Sequence, residues 1–112
     1  MLTSCNLVVL RVSDIECAHA FYHALGLEFE KHRHGVNGVA HYAATLDNLV
    51  FELYPTTGQS TADIRIGFSV DNMDSTLNAV SSFGGTIVTP AKQSPWGLRA
   101  VIRDPFGHAI EQ

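Results

Sequence analysis

The sequence predicts an α+β fold: two tandem βαβββ units whose curved mixed sheets surround a cavity. Three observations carry this. Displaced by 58 positions, Leu7–Asp14 falls on Arg65–Asn72, so one apolar strand overlies another, and Gly26 falls on Gly84. Each strand then runs into a polar cap and a segment of helical periodicity. Each half closes on a hairpin whose last strand carries one glutamate, Glu52 and Glu111. A repeat must be found first, because overlooking one misassigns the whole architecture. The 112 residues read as a single domain: a first unit over 1–55, a linker over 56–63 and a second unit over 64–112.

Leu7–Val12 carries apolar residues on both faces, which suits a strand buried on both sides. Val8, Leu10 and Val12 share one face; Leu7, Val9 and Arg11 share the other. Ser13 or Asp14 caps a helix running to about Leu25. Ile15, Ala18, Phe21, Tyr22 and Leu25 recur at three- and four-residue steps and form its buried stripe. Gly26 ends it. A strand over 27–33 and a turn over 35–38 follow.

Val39–Leu46 and Leu49–Tyr54 form a hairpin around Asp47-Asn48. In that register Thr45 opposes Val50 and Ala43 opposes Glu52. Opposed residues point to the same face, so His41, Ala43, Thr45, Val50, Glu52 and Tyr54 lie together. Tyr42, Ala44, Leu46, Phe51 and Leu53 form the apolar face toward the helix.

In the second unit a strand spans Ile64–Val70. Asp71 or Asn72 caps a helix to about Phe83, with Met73, Leu77, Val80 and Phe83 as its stripe. Gly84-Gly85 stops it. A strand over 86–89, a loop over 90–97 and a last hairpin around Asp104–Gly107 complete the unit. In that hairpin Ala100, Ile102, Ala109 and Glu111 are expected to share one face, with Val101 and Ile110 turned to the helix. A sheet with one helix covers only one of its faces. The other faces, holding Glu52, Arg65 and Glu111, are left to enclose the cavity.

Composition excludes several classes. The chain is 46% hydrophobic, ordinary for a globular domain, and no apolar run approaches the ~20 residues of a membrane span. The N-terminus has neither a basic n-region nor a long apolar run, so no signal peptide is expected. Two cysteines, Cys5 and Cys17, do not make a disulfide scaffold, and a reducing cytoplasm is the default. A net charge of −4 without a basic cluster argues against nucleic acid and mildly favours neutral or cationic ligands.

Four segments carry a resemblance. They are Val12-Ser13-Asp14-Ile15, Phe21-Tyr22-His23-Ala24-Leu25-Gly26-Leu27, Pro95-Trp96-Gly97-Leu98-Arg99 and Asp104-Pro105-Phe106-Gly107-His108-Ala109-Ile110-Glu111. In this order they match the V-x-D, F-Y-x-x-L-G, P-W-G-x-R and D-P-x-G-x-x-x-E patterns of the vicinal-oxygen-chelate superfamily. That superfamily includes glyoxalase I, bleomycin-resistance proteins, extradiol dioxygenases and fosfomycin-resistance proteins. The resemblance implies a homodimer whose cavities are built from halves of two chains. It also implies four metal-ligand positions, which fall here on Leu7, Glu52, Arg65 and Glu111. Only the two glutamates can ligate, because leucine has no donor atom and arginine presents only N–H groups.

The site expectations follow. Arg65 stands where the cation would be and is expected to bridge Glu52 and Glu111. No cofactor is then expected; the alternative is a divalent metal held by the glutamates, with His41 as an added ligand. The trio reads as a ligand-binding site, as a metal-free catalytic site with Glu52 or Glu111 as base, or as a structural ion-pair network. Trp96 reads either as a ring at the pocket mouth or as a plug of the core. Tyr54 and Arg11 are weaker cavity candidates. His19, His23, His32 and His34 form no metal spacing, and Cys17 has no base nearby. The expected activity is small-molecule binding without metal, with a glyoxalase-like metal-dependent lyase or isomerase, or a metal-free carboxylate isomerase, as alternatives. Neither nucleic acid nor membrane is an expected partner.

Overall fold

In the computed structural model, residues 1–33, 38–59, 61 and 64–111 are described. The first unit comprises β1 (Leu7–Val12), α1 (Ile15–Ala24), β2 (Phe29–His32), β3 (His41–Leu46) and β4 (Leu49–Pro55). The second comprises β5 (Arg65–Gly67), α2 (Met73–Ser82), β6 (Thr86–Ser94), β7 (Gly97–Arg103) and β8 (Ala109–Glu111). Each forms a four-stranded sheet of the same order, β1-β4-β3-β2 and β5-β8-β7-β6. In each, the first strand runs parallel to the last, and the other pairings are antiparallel. The helices obey the same displacement as the sequence: Ile15–Ala24 falls on Met73–Ser82.

Equivalent chemistry begins and ends the two helices. Asp14 Oδ1 accepts the N–H groups of Glu16 and Cys17, each at 3.1 Å, satisfying donors that the first turn leaves open. Asn72 Oδ1 accepts the Ser75 N–H at 3.0 Å. Gly26 and Gly84 follow with φ of 113° and 91°, a backbone region costly to residues with a Cβ. The next residue, Gly85, is held for another reason. A Cβ there would lie 2.6 Å from Phe21 and 2.9 Å from the Arg103 carbonyl.

The core lies on the helix side of both sheets. Leu10, Phe21, Tyr22, Phe51, Ile102 and Ile110 are fully buried in one cluster that draws on both units. A polar network crosses the same boundary. Tyr22 Oη donates to Asp104 Oδ2 at 2.5 Å, and His108 Nδ1 lies 2.6 Å from the same oxygen. Asp104 Oδ1 accepts the N–H groups of Phe106 and His108, both at 2.9 Å, which shapes the turn before β8. His108 Nε2 meets Thr61 Oγ1 at 2.7 Å, and Thr61 Oγ1 also accepts the Arg11 N–H at 3.0 Å. Burial pushes the Asp104 carboxyl up; the hydrogen bonds from His108 and Tyr22 outweigh it and leave it below its ordinary value. Burial and the Asp104 charge push the Tyr22 phenol well above its own.

The β3–β4 hairpin has the expected register, Ala43↔Glu52 and Thr45↔Val50, with Tyr42, Ala44, Phe51 and Leu53 buried beneath it. Other expectations are corrected. β1 is buried on one face only, and Leu7 and Arg11 are exposed, because among the described residues nothing covers their side of the sheet. β5 stops at Gly67 instead of Val70: Gly67 pairs with Glu111, where β8 ends, and the Phe68 N–H completes that ladder by donating to the Glu111 carbonyl at 2.8 Å. The segment 90–97 is not a loop. β6 continues to Ser94 through register shifts on either side of Thr89, and it accommodates Pro90 because it is an edge strand. In α2, Thr76 is buried and Phe83 is exposed. Across β7 and β8, Val101 rather than Ala100 or Ile102 shares the face of Glu111. Ala100, Ile102 and Ile110 face the core, all fully buried. The expected turn over 35–38 lies outside the described residues at 35–37, as do His34 and, in the expected linker, Ser60, Ala62 and Asp63. Among the described residues no helix is long and apolar enough to cross a membrane.

Candidate functional site

The register of the second sheet brings three charged side chains together. Glu111 lies on β8, between β5 and β7. Arg65 is on β5, where it pairs with Ala109, two residues from Glu111. Arg99 is on β7, two residues from Val101, the direct partner of Glu111. Strand residues two apart point to the same face. Both arginines therefore flank Glu111 from neighbouring strands. Arg65 Nη1 lies 3.3 Å from Glu111 Oε1, and Arg99 Nη2 donates to the same oxygen.

Beside this cluster is an open cleft of about 480 Å³. Phe68 and Met73 line it from the core side, Leu98 and Arg99 come from β7, and Trp96 stands at the β6–β7 turn. Trp96 is 85% exposed, so its ring is not a plug of the core. The Trp96 backbone N–H donates to Ser94 Oγ, which itself donates to the Gly97 carbonyl at 2.7 Å. These bonds brace the two-residue turn that carries the ring.

The first sheet arranges its candidates differently. Glu52 pairs with His41, Nε2 to Oε2 at 3.7 Å. His41 stacks on Tyr54 with ring centroids 4.3 Å apart and planes 7° from parallel. The Arg11 guanidinium lies 5.4 Å from the Tyr54 centroid, and His32 stacks against the other side of His41 at 5.6 Å. Arg11, Tyr54, His41 and His32 thus form a ladder across β1, β4, β3 and β2, one residue from each strand. His41 is buried within it.

The expected bridge from Arg65 to both glutamates is therefore split. Among the described residues Arg65 pairs with Glu111, and Glu52 pairs with His41. The open faces of the two sheets hold separate charge clusters. Leu7, the fourth family ligand position, is exposed and has no donor atom. His19 stacks on Tyr42 at 4.1 Å, and His23 Nδ1 lies 3.3 Å from the Leu27 carbonyl.

Sequence reasoning missed two features. Arg99 was visible as the arginine of the P-W-G-x-R pattern, but the assumed register of the last hairpin placed it on the opposite face from Glu111. The Tyr22–Asp104–His108–Thr61 network joins residues distant in sequence, and no spacing announces it.

The family model described as "Glyoxalase/Bleomycin resistance protein/Dioxygenase superfamily" matches residues 4–112. A search of curated proteins gives no match. Among solved structures, a hypothetical protein from S. aureus is 22% identical, with a TM-score of 0.76 over 99% of this chain and 96% of that one. A glyoxalase/bleomycin resistance protein from Albidiferax ferrireducens T118 is 24% identical, with a TM-score of 0.72 over 95% and 94%. A fosfomycin resistance protein from Mesorhizobium loti is 13% identical, with a TM-score of 0.74 over 99% and 90%. At these identities the likeness is one of fold. The order of strands within each sheet, the repeat and the match over nearly the whole chain agree: the protein belongs to the glyoxalase/bleomycin resistance protein/dioxygenase superfamily.

Proposed function

We propose that this protein binds a small organic molecule in the cleft beside Glu111 and does so without the metal its family often carries. The reading rests on one observation above all: two guanidinium groups engage the carboxylate that would otherwise be a metal ligand. The donor set at the family positions does not fit a divalent ion. Leu7 contributes no lone pair, Arg65 is a permanent cation, and Glu111 is already paired. The cleft volume falls within the range of ordinary small-molecule sites. Leu7, on the open side of the first sheet, and Trp96, at the β6–β7 turn, are exposed apolar residues, which supports the pairing of two chains around the cavities. The free, exposed thiols of Cys5 and Cys17 suit a cytoplasmic setting.

Elemental mass spectrometry of untagged protein, before and after dialysis against nickel, zinc, manganese and iron, tests the metal-free reading. The expected result is no metal above background. Near-stoichiometric metal that is lost in Glu111→Gln or Glu52→Gln overturns it. Trp96 is the sole tryptophan, so its fluorescence reports the cleft directly. Aromatic ligands that bind by calorimetry should change its emission; confirmed binding with an unchanged spectrum would move the site elsewhere.

A second reading is favoured by the His41–Glu52 contact. A carboxylate beside an imidazole is an acid–base pair, and it would serve proton transfer in a metal-free isomerase. Exchange of a substrate C–H proton with deuterated solvent, abolished in Glu52→Gln, is its signature.

A further inference from the structure

The cluster at Glu111 is charged in a way the whole-chain balance conceals. The chain carries a net charge of −4, which by itself points to neutral or cationic ligands. Within the trio itself the sign is reversed, because two guanidinium groups converge on one carboxylate oxygen and leave an excess of one positive charge at that point. Each guanidinium has five N–H donors in a planar fork. Among the described residues, each of these two spends its side-chain donors only on Glu111 Oε1. The Arg65 side chain is 58% exposed and that of Arg99 41%, so the remaining donors are open to a ligand.

The surroundings narrow the chemistry. Trp96 and Leu98, both exposed, supply apolar surface beside Arg99, and a flat ring can lie against either the indole or the guanidinium plane. Of the charged groups that line the cleft, Arg99 is the cation and Asp71 and Glu111 are the anions, while Arg65 joins from the edge through Glu111; the guanidinium pair thus has donors for one carboxylate, and Asp71 disfavours a second negative group.

We propose that the cleft selects a flat apolar monoanion, with its carboxylate between Arg65 and Arg99 and its ring against Trp96. This deepens the binding reading above and rests on it. A planar carboxylate is matched by forked donors, whereas an ammonium group would face two like charges.

The test is calorimetric titration with three probes of one shape: 2-naphthoate, 2-naphthamide and 2-naphthylmethylamine. The expected result is that naphthoate binds roughly tenfold or more tighter than the amide, the range of a charge-assisted hydrogen bond, and that the amine binds weakest. Arg99→Gln and Arg65→Gln should each remove most of the preference for naphthoate over the amide. The amide affinity reports whether the cleft remains intact in each variant. Arg99→Lys should recover only part of the preference, because it restores charge but not the fork. Equal or tighter binding of the amine or amide overturns the anion assignment while leaving the cleft as a binding site. A preference for naphthoate that survives both Gln variants also overturns it. If none of the three probes binds, both the assignment and the binding reading fall.

Discussion

Asp104 carries more of the structure than its place in a turn suggests. It accepts two side-chain hydrogen bonds and two backbone N–H groups, and its side chain is fully buried. Removing it leaves the Tyr22 hydroxyl and the His108 imidazole buried with a lost partner. Asp104→Ala should therefore cost several kcal/mol in chemical denaturation, about 1–3 kcal/mol for each buried donor left without a partner. Its pH behaviour follows from the direction of its shift. The folded carboxyl titrates below its ordinary value of 3.8, so its contribution is fully present above that pH. It is lost as pH falls from there through the lower folded value. Asp104→Asn should flatten this part of the acid limb in a stability–pH profile; an unchanged limb would assign it to other carboxylates. Gly85 is the steric counterpart. Gly85→Ala drives a methyl against Phe21 and a rigid carbonyl, and a loss of about 1–3 kcal/mol is expected on melting.

At the level of elements, the two helices offer an internal comparison. Both are ten residues long and both depend on a side-chain cap, Asp14 for α1 and Asn72 for α2. Asp14 accepts two backbone N–H groups where Asn72 accepts one. Asp14→Ala should cost about 1 kcal/mol and Asn72→Ala no more than that, as measured by urea denaturation. A larger loss at Asn72 would show that the Thr76 hydroxyl, which donates to the Asn72 carbonyl at 2.8 Å, depends on the cap. The strands show where periodicity succeeds and where it fails. The β3–β4 register was legible because the hairpin turn is only two residues and the apolar alternation is clear. The β7–β8 register was not. Five residues separate those strands, and Ala100, Val101 and Ile102 are all apolar, so alternation gives no parity. A shift of one residue exchanges the faces, and that shift decided whether Arg99 reached Glu111.

Across the whole molecule, the helix-side faces of the two sheets share a core, while the opposite faces keep apolar and charged groups open. The proposed pairing of two chains is tested by light scattering. It predicts twice the 12.2 kDa chain mass at micromolar concentration, and a particle of the single-chain mass would sink it. In a dimer, the exposure of Leu7 and Trp96 should fall, which hydroxyl-radical footprinting across a dilution series would register.

From the sequence by itself came the repeat, the two helices with their caps, the family and the mismatch of Leu7 and Arg65 to metal ligation. These rest on local chemistry: periodicity, turn residues and the donor atoms each side chain possesses. The tertiary structure decided which charged groups meet. Pairing between strands depends on register and on the path of the turn, and neither is encoded within a few residues. So Arg65 came to share Glu111 with Arg99 because strand register set them side by side on one face, Glu52 came to His41 across β4 and β3, and Asp104 closed a network with Tyr22 and His108 because packing the two units on one core buried all three together.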